Sequence, residues 1–195
     1  MDIYLIRHTS VQVESGICYG QTDVALADDF ASAFEPIQSQ LSALPENTVI
    51  ISSPLQRCLQ LAKKLSHGNS VITDKRIMEL NFGEWEMQKW DDIEQAALQK
   101  WMNDYVNVAP PNGESFETLF ERCQDFWENL IAKPCSAVIV VTHLGVIRAL
   151  LAHVLEMPLQ KSLCIQINHG AVSKLKYHQS EKVHHYWITI EYLNG

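Results

Sequence analysis

Three short apolar runs rich in β-branched residues, Ile3 to Ile6, Val49 to Ile51 and Ala137 to Val141, constrain this chain more than any other feature. They are continuous rather than alternating, so each needs cover on both faces, as parallel strands in a layered α/β protein have. Helical patterns lie between and after them, near residues 29–43, 55–66, 90–105, 115–132 and 144–156. Strands separated by helices build a parallel sheet. The C-terminal region alternates more clearly, through Val172, Leu175 and Tyr177 and then Tyr186, Ile188, Ile190 and Tyr192. That pattern predicts two further strands, an antiparallel hairpin with its turn around Ser180–Lys182. The expected architecture is α/β: a three-layer sandwich with a mostly parallel central sheet flanked by helices. Residues 78–114 carry Trp85, Trp90 and Trp101 and are broken by Pro110-Pro111-Asn112-Gly113. They predict a small cap inserted over the sheet. Neither an internal repeat nor a Gly/Ser linker interrupts the chain, so residues 1–195 are expected to form one domain.

Composition narrows the partners. A chain of 195 residues is long enough to bury a substantial core in one domain. No apolar run approaches the roughly 18 residues that span a bilayer, and Met1-Asp2-Ile3-Tyr4 lacks the basic start of a secretory signal. The five cysteines are scattered without a Cys-x-x-Cys pair. The expectation is therefore reduced, buried thiols in a cytoplasmic protein, with neither disulfide framework nor zinc knuckle. A formal charge of −8 argues against nucleic acid or an anionic membrane as partner. It leaves room for a small phosphorylated metabolite, because a few clustered arginines override the mean field. The sequence sets no oligomeric state, and a homodimer is compatible with it.

The ends of the three apolar runs hold the chemistry. In a parallel sheet, ligands bind outside the carboxyl ends of the strands. The first run leads into Arg7-His8-Thr9, the second into Ser52-Ser53-Pro54-Leu55-Gln56-Arg57, and the third into Thr142-His143-Leu144-Gly145. Two arginines and two histidines at converging strand ends describe an anion site. Ser53 as cap and Pro54 as first helical residue predict a helix whose N-terminus favours phosphate, with Arg57 about one turn in. Arg7 and Arg57 offer forked donors that match phosphate oxygens. A histidine between such cations stays neutral, as a nucleophile must. A metal centre is the rival use of paired histidines, but adjacent arginines repel a cation and no His-x-x-x-His spacing is present. No metal or other cofactor is expected.

With these residues in view, the chain resembles the histidine phosphatase superfamily in its phosphoglycerate-mutase-like branch. The resemblance is carried by Arg7-His8, Ser53-Pro54 with Arg57, the segment Met78-Glu79-Leu80-Asn81-Phe82-Gly83-Glu84-Trp85-Glu86, and Thr142-His143-Leu144-Gly145. It implies that His8 is a phosphorylated nucleophile, that Arg7, Arg57 and His143 hold the phosphoryl oxygens, and that Glu79 is the proton donor. Glu84 and Glu86 are the lesser candidates for that last role. The usual Arg-His-Gly-Glu opening is here Arg7-His8-Thr9-Ser10, and an Asn common shortly afterwards is absent; Thr9 is expected to supply a donor instead.

The loop Gly16-Ile17-Cys18-Tyr19-Gly20-Gln21-Thr22-Asp23 bears on the substrate. Together with Arg7-His8-Thr9-Ser10 it resembles alpha-ribazole phosphatases. That implies hydrolysis of alpha-ribazole 5′-phosphate in assembly of the cobalamin nucleotide loop, with Tyr19, Gln21 and Thr22 contacting a nucleotide-like substrate. Asp23 and the Gly113-Glu114-Ser115 segment also fit superfamily patterns, though loop structure and a helix N-cap explain them equally. Three other readings stay open: a broad sugar- or metabolite-phosphate phosphatase, a phosphoglycerate mutase-like enzyme, and a phosphohistidine carrier or regulatory domain.

Overall fold

The computed structural model describes residues 1–41, 44–45, 47–180 and 185–195. The three apolar runs form β1 (Asp2–Arg7), β2 (Val49–Ser52) and β4 (Ala137–Thr142), each one or two residues longer than its apolar stretch. They run side by side and parallel, β4 in the middle, with Arg7 opposite Thr142 and Ser52 opposite Val141. A two-residue strand, β3 (Ile72–Thr73), extends the parallel part beyond β2. The apolar runs did not indicate it, because both its residues are exposed at the sheet margin. The C-terminal strands are β5 (Val172–Ser180) and β6 (His185–Tyr192), antiparallel to each other, and β5 lies antiparallel to β1. The expected turn around Ser180–Lys182 falls largely outside the described residues. The six strands make one sheet in the order β3-β2-β4-β1-β5-β6.

Both faces of this sheet are covered, which explains the unbroken apolar runs. Ile3 and Leu5 of β1, with Val138 and Val140 of β4, point into a core closed by α4 (Phe116–Ile131) and α5 (Leu144–Val154). Tyr4 and Ile6, with Ile139 and Val141, point into a second core beneath α1 (Phe30–Gln40) and α2 (Gln56–Leu65). Each helix presents one stripe. In α2 the buried apolar residues are Cys58, Leu61, Ala62 and Leu65, the i, i+3, i+4, i+7 spacing of one helical face. Cys123, Phe126, Trp127 and Leu130 do the same in α4.

The segment 78–114 is less helical than its pattern suggested. Short 3-10 turns at Gly83–Trp85 and Trp90–Asp92 precede α3 (Gln95–Asn103), so the helix expected near 90–105 is divided. The Glu94 side chain caps α3 by accepting from the N–H groups of Ala96 and Ala97, which fixes the break. Trp85 and Ile93 form a small core with Cys18, against which Phe82, Trp90 and Trp101 pack. Only Cys18, Cys58 and Cys123 are buried; Cys135 is half-buried and Cys164 exposed, so the expectation of five buried thiols holds for three.

Candidate active site

Three neighbouring strand ends assemble the site. The His8 N–H donates to the Thr142 carbonyl (3.0 Å) and the Ser53 N–H to the Val141 carbonyl (3.0 Å). The end of β4 thus lies between those of β1 and β2, and His8, Ser53 and His143 emerge together. The His8 and His143 rings lie 5.2 Å apart, edge to face. Both rings are essentially sealed from water, as are Thr9, Ser53 and Arg57.

His8 has a defined tautomer. Its Nδ1 lies 2.8 Å from the Thr9 carbonyl oxygen, which only accepts, so Nδ1 carries the proton and Nε2 is left bare. Burial pushes the His8 pKa well below its usual value, and Arg57, His169 and Arg7 push it the same way against the favourable Thr9 hydrogen bond. His143 is pushed down likewise by burial, then by His8, Arg57, Arg122 and Arg7. Both imidazoles are neutral near pH 7, with a free lone pair at His8 Nε2.

The arginines are gripped through their outer nitrogens. Arg7 donates from Nη1 to the Ile167 carbonyl (2.6 Å) and from Nη2 to His169 Nε2 (2.8 Å). Arg57 donates from Nη1 to the Thr22 carbonyl (3.0 Å) and from Nη2 to the Gly20 carbonyl. In both, the buried Nε has no partner, and neither has the buried Thr9 hydroxyl. An unpaired buried donor costs ~1–3 kcal/mol. Three such atoms, at the end of β1 and the start of α2, are what an anion-binding pocket leaves for its ligand to satisfy.

The helix start differs from expectation. Helix α2 begins at Gln56, Leu55 is its N-cap, and Ser53 does not cap it. The Ser53 hydroxyl instead lies 2.8 Å from His143 Nε2. Asp23 supplies the cap from the neighbouring loop, its Oδ1 accepting the Gln56 N–H at 2.8 Å. Arg57 is therefore the second helical residue rather than a turn in, and the first N–H of α2 is already taken. The N-terminus of α5 faces a carboxylate as well, the Gly145 N–H donating to Glu79 Oε2 (3.2 Å).

Glu79 is held rather than free. Its other oxygen accepts the Leu80 N–H (2.9 Å), and a Cβ on Gly145 would fall 2.2 Å from Oε1, so only glycine admits the carboxylate there. Beneath it, Arg122 donates to the carbonyls of Arg76, Met78 and Glu79 and to the Glu114 carboxylate. Arg76 is not a partner of Glu79; it pairs with Asp74 at 2.6 Å. Ser115 caps α4, accepting from the Thr118 N–H.

The Gly20–Thr22 loop is anchored by Glu86. That carboxylate accepts from the N–H groups of Gln21 (2.8 Å), Thr22 (2.5 Å) and Phe82 (3.2 Å) and from the Thr22 hydroxyl. Burial alone would raise its pKa, but the Thr22, Gln21 and Phe82 donors outweigh it and hold the carboxyl below its usual range. The Gln21 side chain donates to the Glu79 carbonyl (2.9 Å). The polar groups of Gln21 and Thr22 thus brace the loop. A Cβ on Gly20 would fall 1.9 Å from the Leu80 carbonyl, so this crossing also requires glycine.

Beside Glu79 opens a cavity of about 290 Å³, lined mostly by Tyr19, Leu80, Phe82, Trp101, Tyr105 and Leu163, with Glu79 and Arg148 as its charged groups. The Arg57 guanidinium lies 5.6 Å from the Tyr19 ring centroid, which joins this cavity to the strand ends. Larger clefts of about 640 and 660 Å³ lie beside α1 and beside β6, and neither is lined by an arginine or a lysine.

Two further residues at the site carried no motif. Arg148 projects from α5, and His169 precedes β5. The signal for His169 was topological: an antiparallel neighbour of β1 must begin where β1 ends.

Comparison with known proteins gives the family and the fold. The family model described as histidine phosphatase superfamily (branch 1) matches residues 3–189. The chain is 26% identical over 182 residues, 90% of each chain, to the adenosylcobalamin/alpha-ribazole phosphatase of Salmonella typhimurium. It is 27% identical over 197 residues to the Klebsiella pneumoniae protein named "Probable phosphoglycerate mutase GpmB", covering 96% of this chain and 90% of that one. The crystal structure of the alpha-ribazole phosphatase from Shigella flexneri shares the fold, with a TM-score of 0.88 at 24% identity over 100% of this chain and 96% of that one. The chain belongs to the histidine phosphatase superfamily and is a phosphatase.

Proposed function

We propose that this member of the histidine phosphatase superfamily hydrolyses alpha-ribazole 5′-phosphate through a phosphohistidine on His8. The observation that carries the mechanism is the Nδ1–H of His8 donating to Thr9, which leaves Nε2 bare among cations. The phosphoryl group sits among Arg7, Arg57 and His143, where the fixed positive charge of the two arginines and the N–H groups of all three meet the oxygens as charge builds in the transition state. His8 Nε2 forms a bond to phosphorus as the P–O bond to the ribose breaks. Glu79 gives that oxygen its proton. Water then attacks the phosphohistidine, its proton passes to Glu79, and the N–P bond breaks to release phosphate and restore both groups.

The leaving alcohol occupies the cavity beside Glu79. Tyr19, Phe82, Trp101 and Tyr105 offer it aromatic walls, which suit the flat apolar base of a nucleoside-like group better than a small sugar. Similarity to a named alpha-ribazole phosphatase over 90% of both chains supports the same reading. A second reading, a phosphatase or mutase acting on phosphoglycerates, draws on Arg148, a cation in that cavity suited to an anionic leaving group. A phosphohistidine carrier would have no use for Glu79 so firmly placed. A kcat/KM panel of alpha-ribazole phosphate, phosphoglycerates, sugar phosphates and mononucleotides, in EDTA, decides among them. At least a tenfold preference for alpha-ribazole phosphate is expected; preference for a phosphoglycerate would overturn the substrate.

A further inference from the structure

The loop Ile167–Ala171 closes over the end of β1. The Gly170 N–H is shared by the carbonyls of Arg7 (3.2 Å) and His8 (3.1 Å), and the Arg7 N–H donates to Ala171 (3.2 Å). His169 is exposed, yet its backbone is pinned to the two residues that open the anion site. Its Nε2 lies 2.8 Å from Arg7 Nη2, and its ring is 5.3 Å from that of His8. An arginine only donates, so Nε2 is the bare nitrogen and the proton of His169 sits on Nδ1. Each outer nitrogen of Arg7 thus gives one N–H to this loop, Nη1 to Ile167 and Nη2 to the imidazole, while its buried Nε–H has no partner. Protonating His169 removes that acceptor and frees one further N–H of Arg7 for an oxyanion.

We propose that His169 is a third histidine of the anion site, which accepts from Arg7 as a neutral ring before an anion arrives and, once protonated, turns to the phosphoryl oxygens as a donor while releasing Arg7 to do the same. The proton comes from solvent, so anion binding and proton uptake are linked at this residue. The surroundings supply the bias. Although the residue reaches solvent, partial burial of its ring acts first, and the positive charges of Arg7 and Arg57 next, in pushing the His169 pKa down to about 4. A dianion between Arg7 and His8 reverses the sign of that field, and opposite charge at such range raises a pKa by ~1–3 units. The bound dianion thus moves the titration of the ring upward and opens a pH window in which His169 is charged in the complex and neutral without it. Protonated, its Nε2 no longer accepts from Arg7, and both side chains are left with donors facing the same oxygens.

The inference rests on the phosphatase reading only in that the strand ends bind a phosphoryl-like dianion; it depends on neither the ester nor attack by His8. Sulfate is the probe, since it neither gains nor loses a proton near neutral pH. NMR titration of the His169 ring in the wild-type protein is expected to show its pKa raised by ~1 unit or more at saturating sulfate. By linkage, a group whose pKa rises on binding makes binding tighter as pH falls through its bound-state pKa, by up to ~tenfold per pH unit. Wild-type sulfate affinity should strengthen from about pH 7.5 to about pH 5, and His169→Gln should lose much of that slope while binding ~3–10-fold more weakly near the acidic end. An unchanged or lowered His169 pKa would overturn the proposal. So would a pH slope that survives intact in His169→Gln, which would assign the proton to His8 or His143. If sulfate does not bind the wild-type protein at all, the anion-site reading falls and this inference falls with it.

Discussion

The pocket at the ends of β1, β2 and β4 is made of arginines and imidazoles held by backbone carbonyls, whereas the cavity beside it is made of aromatic rings held by one another. Arg7 and Arg57 are each fixed by two outer nitrogens, and His8 by the Thr9 carbonyl. In the cavity, Trp101 stacks on Trp90 at 6.0 Å and meets Phe82, Trp85 and Tyr105 edge to face. Carbonyls of loops pinned at the strand ends hold the arginines and His8 in place before a substrate arrives. Rings packed on short 3-10 turns and one short helix give a surface whose shape follows the side chains. The first region is thus suited to a constant group, the phosphoryl, and the second to a variable one, the alcohol. Glu79 stands at the boundary and serves both.

That division is open to tests. Damage to the strand-end pocket should reduce turnover of every ester by similar factors, and damage to the cavity should discriminate among esters. The largest effect is expected from His8→Ala, a loss of kcat on the order of 10⁴-fold or more for all substrates, with no acid-labile phosphate on the protein. Substantial residual activity would remove His8 as nucleophile. Next, Glu79→Gln should cost ~10²–10⁴-fold with alkyl phosphates but far less with an aryl phosphate, whose leaving oxygen needs no proton. Equal losses on the two esters would show that Glu79 supports the pocket without acting as an acid. Gly145→Ala places a Cβ 2.2 Å from the Glu79 carboxylate and should copy that ester dependence at ~10²-fold.

Smaller effects separate the cavity. Arg148→Met should lower kcat/KM for phosphoglycerates by ~10-fold while leaving alpha-ribazole phosphate within about threefold; the opposite pattern would favour an anionic leaving group as the physiological one. The smallest effect expected is that of acid on wild-type kcat/KM. The His8 pKa lies well below 6.5, so its nucleophilic form persists as pH falls past that value. The profile should show no half-loss near 6.5; a clear acid limb there that persists in His169→Gln would mean the imidazole is not held neutral. Stability carries the opposite sign. His8 and His143 are neutral when folded but protonate when unfolded, so unfolding becomes easier as pH falls below about 6.5 and the penalty grows towards their folded pKa values. Denaturant melts across that range measure it.

Much of the fold was legible from pattern. Unbroken apolar runs identified β1, β2 and β4 because burial on both faces leaves no polar alternation, and apolar stripes located the five helices to within a few residues, apart from the divided one near 90–105. The two-residue β3 was illegible, since exposed edge residues carry no burial signal. At the site, Arg7, His8, Arg57 and His143 were readable because chain order places them directly after strands or at a helix start. The Ser53–His143 pair, the capping of α2 by Asp23 and the Arg122 brace under Glu79 were not, because each joins segments from 33 to 90 residues apart or depends on rotamers. His169 and Arg148 belong to the same class.

The sequence by itself determined that this chain forms a layered α/β sheet and that two arginines and two histidines leave its strands at one end, because periodicity and strand polarity are local properties. Only the tertiary structure decided which of those nitrogens is bare, which donors lack partners, and that an aromatic cavity and a third histidine adjoin the pocket. Those facts depend on hydrogen bonds and packing between distant segments, and such contacts are fixed by the assembled sheet rather than by any one stretch of chain.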